Sequence, residues 1–455
     1  MPAGLRRDLG TLESYAALIG ILIGAGIFKV TSAAWALTGP SVILGYLVLS
    51  IPILATSVAY SVFLSTPLGR EPGGEYTHLS RTFGGHGLAF VGVWLKIISY
   101  IGALAYLARA FADYALELVH VRNAAATMPL AVAIVIVFYA IHVAGVRWFG
   151  RIQVAMCALL GLSIIVLVGP GLFAIRPDNY RPFFTHNWRG FAAALPPLFF
   201  AYAGFESLAQ TAGEVRDSTR RLPRIFLRGI GLTTILYLLM SGVAFGVLPG
   251  ERLRASAAPM ADVGAQYLPL GAAAFVTLGA IMAITTSLNA TMLVPSRVAI
   301  MLAEDSLAPK WLGRISPRTG TPIVGLTLTL LVTLALLISG QISLALNIAV
   351  FALVVLYFLH SFALLALPRA NPPLFQSVTV AIPLWLQRVA AITSMISMGL
   401  LIVLQIADDL RVLRRTTFVE RATQGSLTTI ELVVFWAAVG TLLVSFGTAR
   451  LRRTA

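Results

Sequence analysis

Glu206 is the sole carboxylate lying deep within an apolar stretch of this chain. An acid at such depth is costly and marks function by default, so it is a candidate for proton carriage in coupling or gating. Its alternative role is structural, as a carboxylate bonded to unwound backbone. A second group of residues offers backbone chemistry. Gly20 and then Gly24-Ala25-Gly26 interrupt the first hydrophobic helix near its middle. Glycine costs about 1 kcal/mol against alanine inside a helix, so three within seven residues invite unwinding. Opened backbone at membrane depth survives only where it is buried in protein or lines a cavity. The N–H groups of Ala25, Gly26 and Ile27 would then begin a half-helix and can hold a carboxylate. The carbonyls near Leu22, Phe200 and Ala203 would end half-helices and can hold an ammonium. Opposed donors and acceptors of this kind fit the two backbone groups of an amino acid, and glycine lets a ligand approach closely.

Two lysines complete the inventory. Lys29 follows the glycine motif directly and could tune substrate charge or pair with Glu206; it could equally snorkel toward the outer vestibule. Lys96 shares a helix face with Ser99 and Tyr100 and is expected to snorkel to the inner surface.

The elements that must position these residues are membrane helices. Of the 455 residues, 58% are hydrophobic and only 11% charged, against about 25% charge in a soluble domain. Spans of roughly 20 apolar residues are expected near 12–38, 40–64, 87–118, 125–144, 149–173, 189–213, 224–248, 268–304, 321–338, 342–367, 385–407 and 429–449. The sixth, like the first, is interrupted: Pro196 and Pro197 open it, and Ala203-Gly204 punctuates it beside Glu206. Interrupted helices five apart point to two halves of opposite orientation with a site at their interface. One transmembrane domain over 1–455 is expected: a first repeat at 12–173, an inverted second repeat at 189–367, and two additional helices at 385–449.

A net charge of +15 does not indicate nucleic acid, because the basic residues are spread through short loops. The positive-inside rule accounts for them and favours both termini in the cytoplasm, in a multi-pass cytoplasmic-membrane protein. Arg411, Arg414, Arg415 and Arg421 fall on the opposite side, softened by nearby acids. The Arg216–Arg228 cluster is expected to face anionic lipid. The single Cys157 excludes an internal disulfide framework. No cleavable leader is expected; the first helix would serve as an uncleaved anchor. The histidines lack zinc spacing and no phosphate loop or nucleophile elbow appears, so no cofactor, no metal and no enzyme activity are expected.

Four ordered motifs resemble the amino acid–polyamine–organocation (APC) family. They are GAGIF at 24–28, EPGGEYTHLSRTFGG at 71–85, FFAYAGFES at 199–207 with GEVRDSTRRLPR at 213–224, and SRVAIMLAEDSLAPKWLGRISPRTGTP at 296–322. The resemblance covers roughly 12–340. It implies an all-α integral membrane protein with twelve transmembrane helices and a five-plus-five inverted repeat (the LeuT/APC fold). Helices one and six would be discontinuous, two helices would be added at the C-terminus, and transport would proceed by alternating access.

By position, the resemblance gives Ala25, Gly26 and Ile27 the substrate carboxylate, and the carbonyls of Leu22, Phe200 and Ala203 the amino group. Phe205 would close over the substrate. Helix six most resembles that of cationic amino acid transporters and the arginine/agmatine antiporter, where an acid also occupies the Glu206 position. Ala283, Thr286 and Ser287 have the i, i+3, i+4 spacing with which sodium-coupled relatives offer a carbonyl and two hydroxyls. Some proton-coupled members place a helix-five lysine there; this helix five has only Arg151, at its start. Asn289 and Asn347 are polar positions that line the pocket or bond between helices. The expected function is secondary transport of amino acids, by proton symport or exchange in preference to sodium coupling. Polyamines or another organic solute are the alternative cargo.

Overall fold

Glycine stands at both breaks in this helical chain, whereas Pro52, Pro129, Pro196, Pro197, Pro223 and Pro295 lie inside helices. The computed structural model describes residues 4–454 except 25, 120, 122, 257, 258, 270, 341 and 424–426; the side chains of 29, 32, 33, 124, 273, 342–348, 408 and 442–454 are also outside the description. Ala25 and the side chains of Lys29 and Asn347 therefore lie outside the described residues.

The helices are α1 (Thr11–Leu22), α2 (Thr31–Thr38), α3 (Val42–Leu64), α4 (Glu75–Phe83), α5 (Gly87–Leu118), α6 (Ala124–Val143) and α7 (Val146–Gly171). After them come α8 (Asn187–Phe199), α9 (Ser207–Gln210), α10 (Ser218–Val247), α11 (Gly250–Ala255), α12 (Pro259–Gly264) and α13 (Ala272–Glu304). The last six are α14 (Ile323–Ser339), α15 (Ile342–Ala370), α16 (Pro372–Gln376), α17 (Leu384–Arg415), α18 (Phe418–Thr423) and α19 (Thr429–Thr454). No strand occurs among the described residues.

Among the described residues, ten helical segments are long and apolar enough to cross a membrane. Two shorter apolar helices, Ile323–Ser339 and Thr429–Thr441, fall where the ninth and twelfth spans are expected. The eleventh runs further than expected, through Arg415. One arginine of the basic loop behind it is paired. Arg421 is nearly buried and meets Glu431 at 2.6 Å, while Asp409 accepts from the Ile430 N–H at 2.9 Å.

The first and sixth hydrophobic segments are both broken. α1 ends at Leu22, and a π-helical turn over Gly26–Val30 restarts the chain. α8 tightens into a 3-10 turn at Phe200–Tyr202, and the chain resumes as α9 only after Gly204, whose φ of +102° suits glycine. Around these breaks the long helices pack in matched sets. α5 lies against α13 and α15, α13 against α5 and α7, and α3 against α10. α5 also packs on α6 as α13 packs on α14. α17 and α19 lie outside this set, against α3, α5 and α15; stacked Trp94 and Trp436 each donate an indole N–H to the other's carbonyl at 2.7 Å.

Candidate functional site

The two breaks meet back to back, and small residues allow it. A Cβ on Gly26 would stand 2.6 Å from Ala201 Cα, and one on Gly24 would stand 2.3 Å from Ser287 Oγ. Between them lies a cavity lined by both breaks and by α5, α13 and α15. Leu22, Gly24, Gly26, Phe200, Ala203 and Gly204 contribute from the breaks. Its polar side chains are Ser99, Tyr100, Ser287 and Thr291; Ile21, Leu107 and Leu353 are among its apolar walls. No described charged side chain lines it.

Tyr237 of α10 fastens the two breaks to each other. Its hydroxyl donates to the Leu22 carbonyl and reaches the Ala201 carbonyl at 2.6 Å. The Leu22 carbonyl also accepts from the Gly24 N–H at 2.8 Å. Both its lone pairs are thus engaged, which corrects the expectation that it is open to an ammonium. No donor reaches the Ala203 carbonyl among the described residues, and Phe200 O accepts one N–H, from Ala203 at 3.2 Å.

The hydroxyls expected to offer a sodium site are tied to helix one. Thr286 Oγ1 and Ser287 Oγ both donate to Gly20 O at 2.9 Å; Ser287 also reaches Ile21 O at 3.0 Å and Thr286 reaches Ala283 O at 2.8 Å. Gln153 of α7 adds an amide to the same joint. Its Nε2 bonds Ala16 O at 3.1 Å and Thr286 O at 3.2 Å, and its Oε1 accepts from Asn289 Nδ2 at 2.7 Å. Asn289 is therefore an interhelical bond and does not line the cavity.

Behind the cavity sits a cluster of fully buried charge. Lys96 is at 0% exposure, not at the inner surface where snorkelling was expected. Its Nζ lies 2.8 Å from Glu75 and 3.9 Å from Glu206, because the face it shares with Ser99 and Tyr100 is the interior face of α5. Glu75 owes its position to the Gly73-Gly74 turn, with φ of +93° and +47°, that opens α4. It also accepts from Tyr60 Oη and from Gln210 Nε2 at 2.6 Å. Glu206 accepts from Tyr100 Oη at 2.5 Å and from Tyr357 Oη. His78 and His360 hydrogen-bond at 2.9 Å beside Tyr60. Burial, then the Lys96 charge, hold His78 down at about 3, so this imidazole is neutral.

The face bearing residues 5–10 is closed by further pairs. Arg297, 1% exposed, grips Glu214 at 2.8 and 3.2 Å, and Arg81 grips Asp305 at 3.1 and 3.2 Å. Leu9 bridges Val215, exchanging bonds with Glu214 O at 3.0 Å and the Arg216 N–H at 2.9 Å.

Sequence reasoning therefore located the breaks, and the structure brings Gly26, Leu22, Phe200, Ala203 and Ser287 to one cavity. Ile27 is buried beside it. Phe205 is a correction: after the turn at Gly204 its ring packs among Tyr60, Phe226 and Tyr357, outside the cavity lining, whose aromatic residues are Tyr100 and Phe200. Glu206 lies one layer behind the lining. Glu75, Gln153 and Tyr237 were missed. Only Glu75 carried a local signal, its place directly after two glycines.

A family model described as amino acid permease matches residues 9–443. The chain is 26% identical to a branched-chain amino acid permease of Bacillus subtilis, over 70% of this chain and 72% of that protein. It is 30% identical to an uncharacterized transporter of Mycobacterium tuberculosis, over 88% and 91% of the two. It is 26% identical to the vacuolar cationic amino acid transporter 8 of Arabidopsis thaliana, over 77% and 61%. With nearly its whole length matched, and two broken helices enclosing a cavity, this chain belongs to the amino acid permease family and is a membrane transporter of amino acids.

Proposed function

We propose that this permease carries small neutral amino acids with apolar side chains, by alternating access around the cavity between the two breaks. The observation that carries the reading is the lining. Backbone from both broken helices supplies polar groups for an amino acid's own ends, while Ile21, Leu107 and Leu353, with no charged partner among the described side chains, suit an apolar side chain. The N–H groups of Ala25, Gly26 and Ile27 are assigned the carboxylate, by the helix-start argument. The Phe200 and Ala203 carbonyls are assigned the ammonium, and Phe200 the closing ring. The matched packing of α5 on α15 and of α13 on α7 supports the five-plus-five inverted repeat, with α17 and α19 as additions. The distribution of basic loops supports cytoplasmic termini in the cytoplasmic membrane.

A cationic or polyamine cargo would need an acid within reach, and Glu206, the nearest candidate, is taken by Tyr100, Tyr357 and Lys96. Proton coupling or exchange is favoured over sodium, because Gly20 O is already occupied by both Thr286 and Ser287. Counterflow in proteoliposomes, preloaded with one solute at a time and without ion gradients, tests the reading. Accumulation with leucine, valine, isoleucine or alanine, and none with arginine or putrescine, is expected. Accumulation with arginine or putrescine alone transfers the proposal to an organic cation carrier.

A further inference from the structure

Five arginines stand between positions 216 and 228, and the fold ties down two of them. Arg216 donates to Arg7 O at 3.1 Å and lies 3.9 Å from Asp8. Arg221 reaches Asp217 at 3.1 Å and Thr11 Oγ1 at 3.2 Å. Arg220, Arg224 and Arg228 are exposed, and none makes an ion pair among the described residues. The other acids of this face are engaged elsewhere, Glu13 by the Gly10 N–H at 3.0 Å and Glu214 by Arg297 at 2.8 Å.

Steps of four place the three free arginines on one ridge of α10, and the placement is costly. Like charges four apart on a helix repel. Arg220 also stands in the first turn, where the helix dipole is itself positive. That turn holds no acid, and Asp217 before it makes no side-chain capping bond. The interior gains nothing in return, because α10 packs through its other side, where Leu222, Phe226 and Ile230 are fully buried. The turn Pro67–Arg70 packs on α10 and adds Arg70, exposed and likewise without an ion pair among the described residues. Such a patch calls for an anion from outside the chain.

The same ridge identifies the anion. Past Arg228 it continues as Leu232, Ile235 and Leu239, all exposed, on a helix long and apolar enough to cross a membrane. Charge and apolar surface thus run on in one line, as a phosphate headgroup and its acyl chains do. Guanidinium forks suit phosphate oxygens, and basic residues beside a span attract anionic lipid. An acidic protein or a free anion would match the arginines alone.

We propose that Arg220, Arg224 and Arg228 form a docking surface for the headgroup of an anionic phospholipid, and that the bound lipid steadies α10. Further along this helix stands Tyr237, whose hydroxyl ties the two breaks to each other. A lipid that fixes the end of α10 therefore acts on the tie, and through it on the rate of transport. That consequence rests on the carrier reading above; the docking surface does not.

Native mass spectrometry of the full-length protein, supplied in detergent with equal amounts of phosphatidylglycerol and phosphatidylcholine, tests the surface. The wild type is expected to retain phosphatidylglycerol in preference. Arg220→Gln/Arg224→Gln/Arg228→Gln is expected to lower that preference by about tenfold or more, each arginine near an anionic surface counting roughly fivefold. Arg411→Gln/Arg414→Gln/Arg415→Gln removes the same charge from the far end of α17 and is expected to keep the preference. Monodispersity controls for folding, and Arg224→Gln/Arg228→Gln suffices if the triple variant fails to fold. Phosphatidylglycerol is also expected to raise the melting temperature of the wild type, and inorganic phosphate to leave it unchanged.

No preference in the wild type, one that survives in the folded triple variant, or one that the Arg411 set also abolishes overturns the proposal. Equal stabilisation by inorganic phosphate reassigns the arginines to a free anion and overturns it too. Counterflow in vesicles of the two lipids is expected to be several-fold faster with phosphatidylglycerol for the wild type and equal for the triple variant. Equal wild-type rates overturn the link to Tyr237. Lipid preference without counterflow for any amino acid removes the cargo reading alone. Intact counterflow without lipid preference removes the docking surface alone.

Discussion

Tyr237 and Leu22 stand 215 positions apart in sequence, and the hydroxyl of one donates to the carbonyl that ends the first half-helix of the other. The same hydroxyl reaches Ala201 O at 2.6 Å, so one side chain fixes the spacing of both breaks. Tyr237→Phe keeps the ring packing on Tyr46 and Tyr202 and removes both bonds. The single hydroxyl hydrogen bridging the two carbonyls is worth roughly 0.5–1.5 kcal/mol, and the Leu22 carbonyl keeps the Gly24 N–H. A lower melting temperature is expected, together with a fall in the maximal counterflow rate larger than any change in half-saturation. Wild-type values for both would show that the breaks hold their spacing without this tie.

Gly26 is the tightest point of contact between the breaks. A side chain there would begin 2.6 Å from Ala201 Cα and 2.7 Å from its Cβ, and the neighbour is backbone that cannot step aside. Gly26→Leu is expected to insert in the membrane and stay monodisperse while losing counterflow altogether. Near-normal uptake by that variant would remove the breaks from the transport site.

What the sequence made legible was local. Glycines at 24 and 26 and the Ala203-Gly204 pair stand at the two interruptions, which could be read without knowing any neighbour, whereas α1 runs on through Gly20 and α8 through Pro196-Pro197. What stayed hidden was pairing. Lys96 shares a visible polar face with Ser99 and Tyr100, but whether that face looks inward depends on α3, α4 and α9 arriving against it. Glu75 lies outside every hydrophobic segment and is nonetheless fully buried, because a two-glycine turn folds α4 back under the bundle. Phe205 and Phe200 differ by five positions, yet Phe200 lines the cavity and Phe205 packs among Tyr60, Phe226 and Tyr357, with the turn at Gly204 between them. A resemblance fixes the motif but not the direction of each side chain after such a turn.

The cavity wall makes a specificity prediction. Leu107 and Leu353 both line it, from α5 and α15. Leu353→Ala opens room where a side chain would sit, and matching a methylene in an apolar pocket is worth about 1–3 kcal/mol. The ratio of uptake efficiency for phenylalanine over alanine is expected to rise by about tenfold or more. Competition assays with labelled alanine read it directly; an unchanged ratio places the side-chain pocket elsewhere.

His78 gives stability a pH dependence whose sign is fixed. Its folded value, about 3, lies below the ordinary 6.5, because burial and then Lys96 oppose a second positive charge. Between those values the unfolded chain binds a proton that the folded protein refuses, so stability falls as pH drops through that window. The melting temperature is expected to decline from pH 6.5 downward, and His78→Gln to flatten its share of the slope. A slope identical in the variant would assign the acid sensitivity to other groups.

Arg297 and Glu214 test whether the face bearing residues 5–10 is latched by charge. Both are almost fully buried, and their two hydrogen bonds join α13 to the turn that follows α9. Removing one partner strands the other charge, a cost of roughly 3–5 kcal/mol, whereas removing both strands neither. Arg297→Met and Glu214→Gln are each expected to lower the unfolding midpoint sharply, and the double variant to recover much of the loss. Because α9 continues directly from the second break, the double variant is also expected to open this face more readily. Faster labelling of a cysteine placed at Ser296, in a Cys157→Ala background, reads that opening. Additive single effects in the unfolding cycle would mean that the two side chains contribute separately and that the latch is held by Arg81 and Asp305 instead.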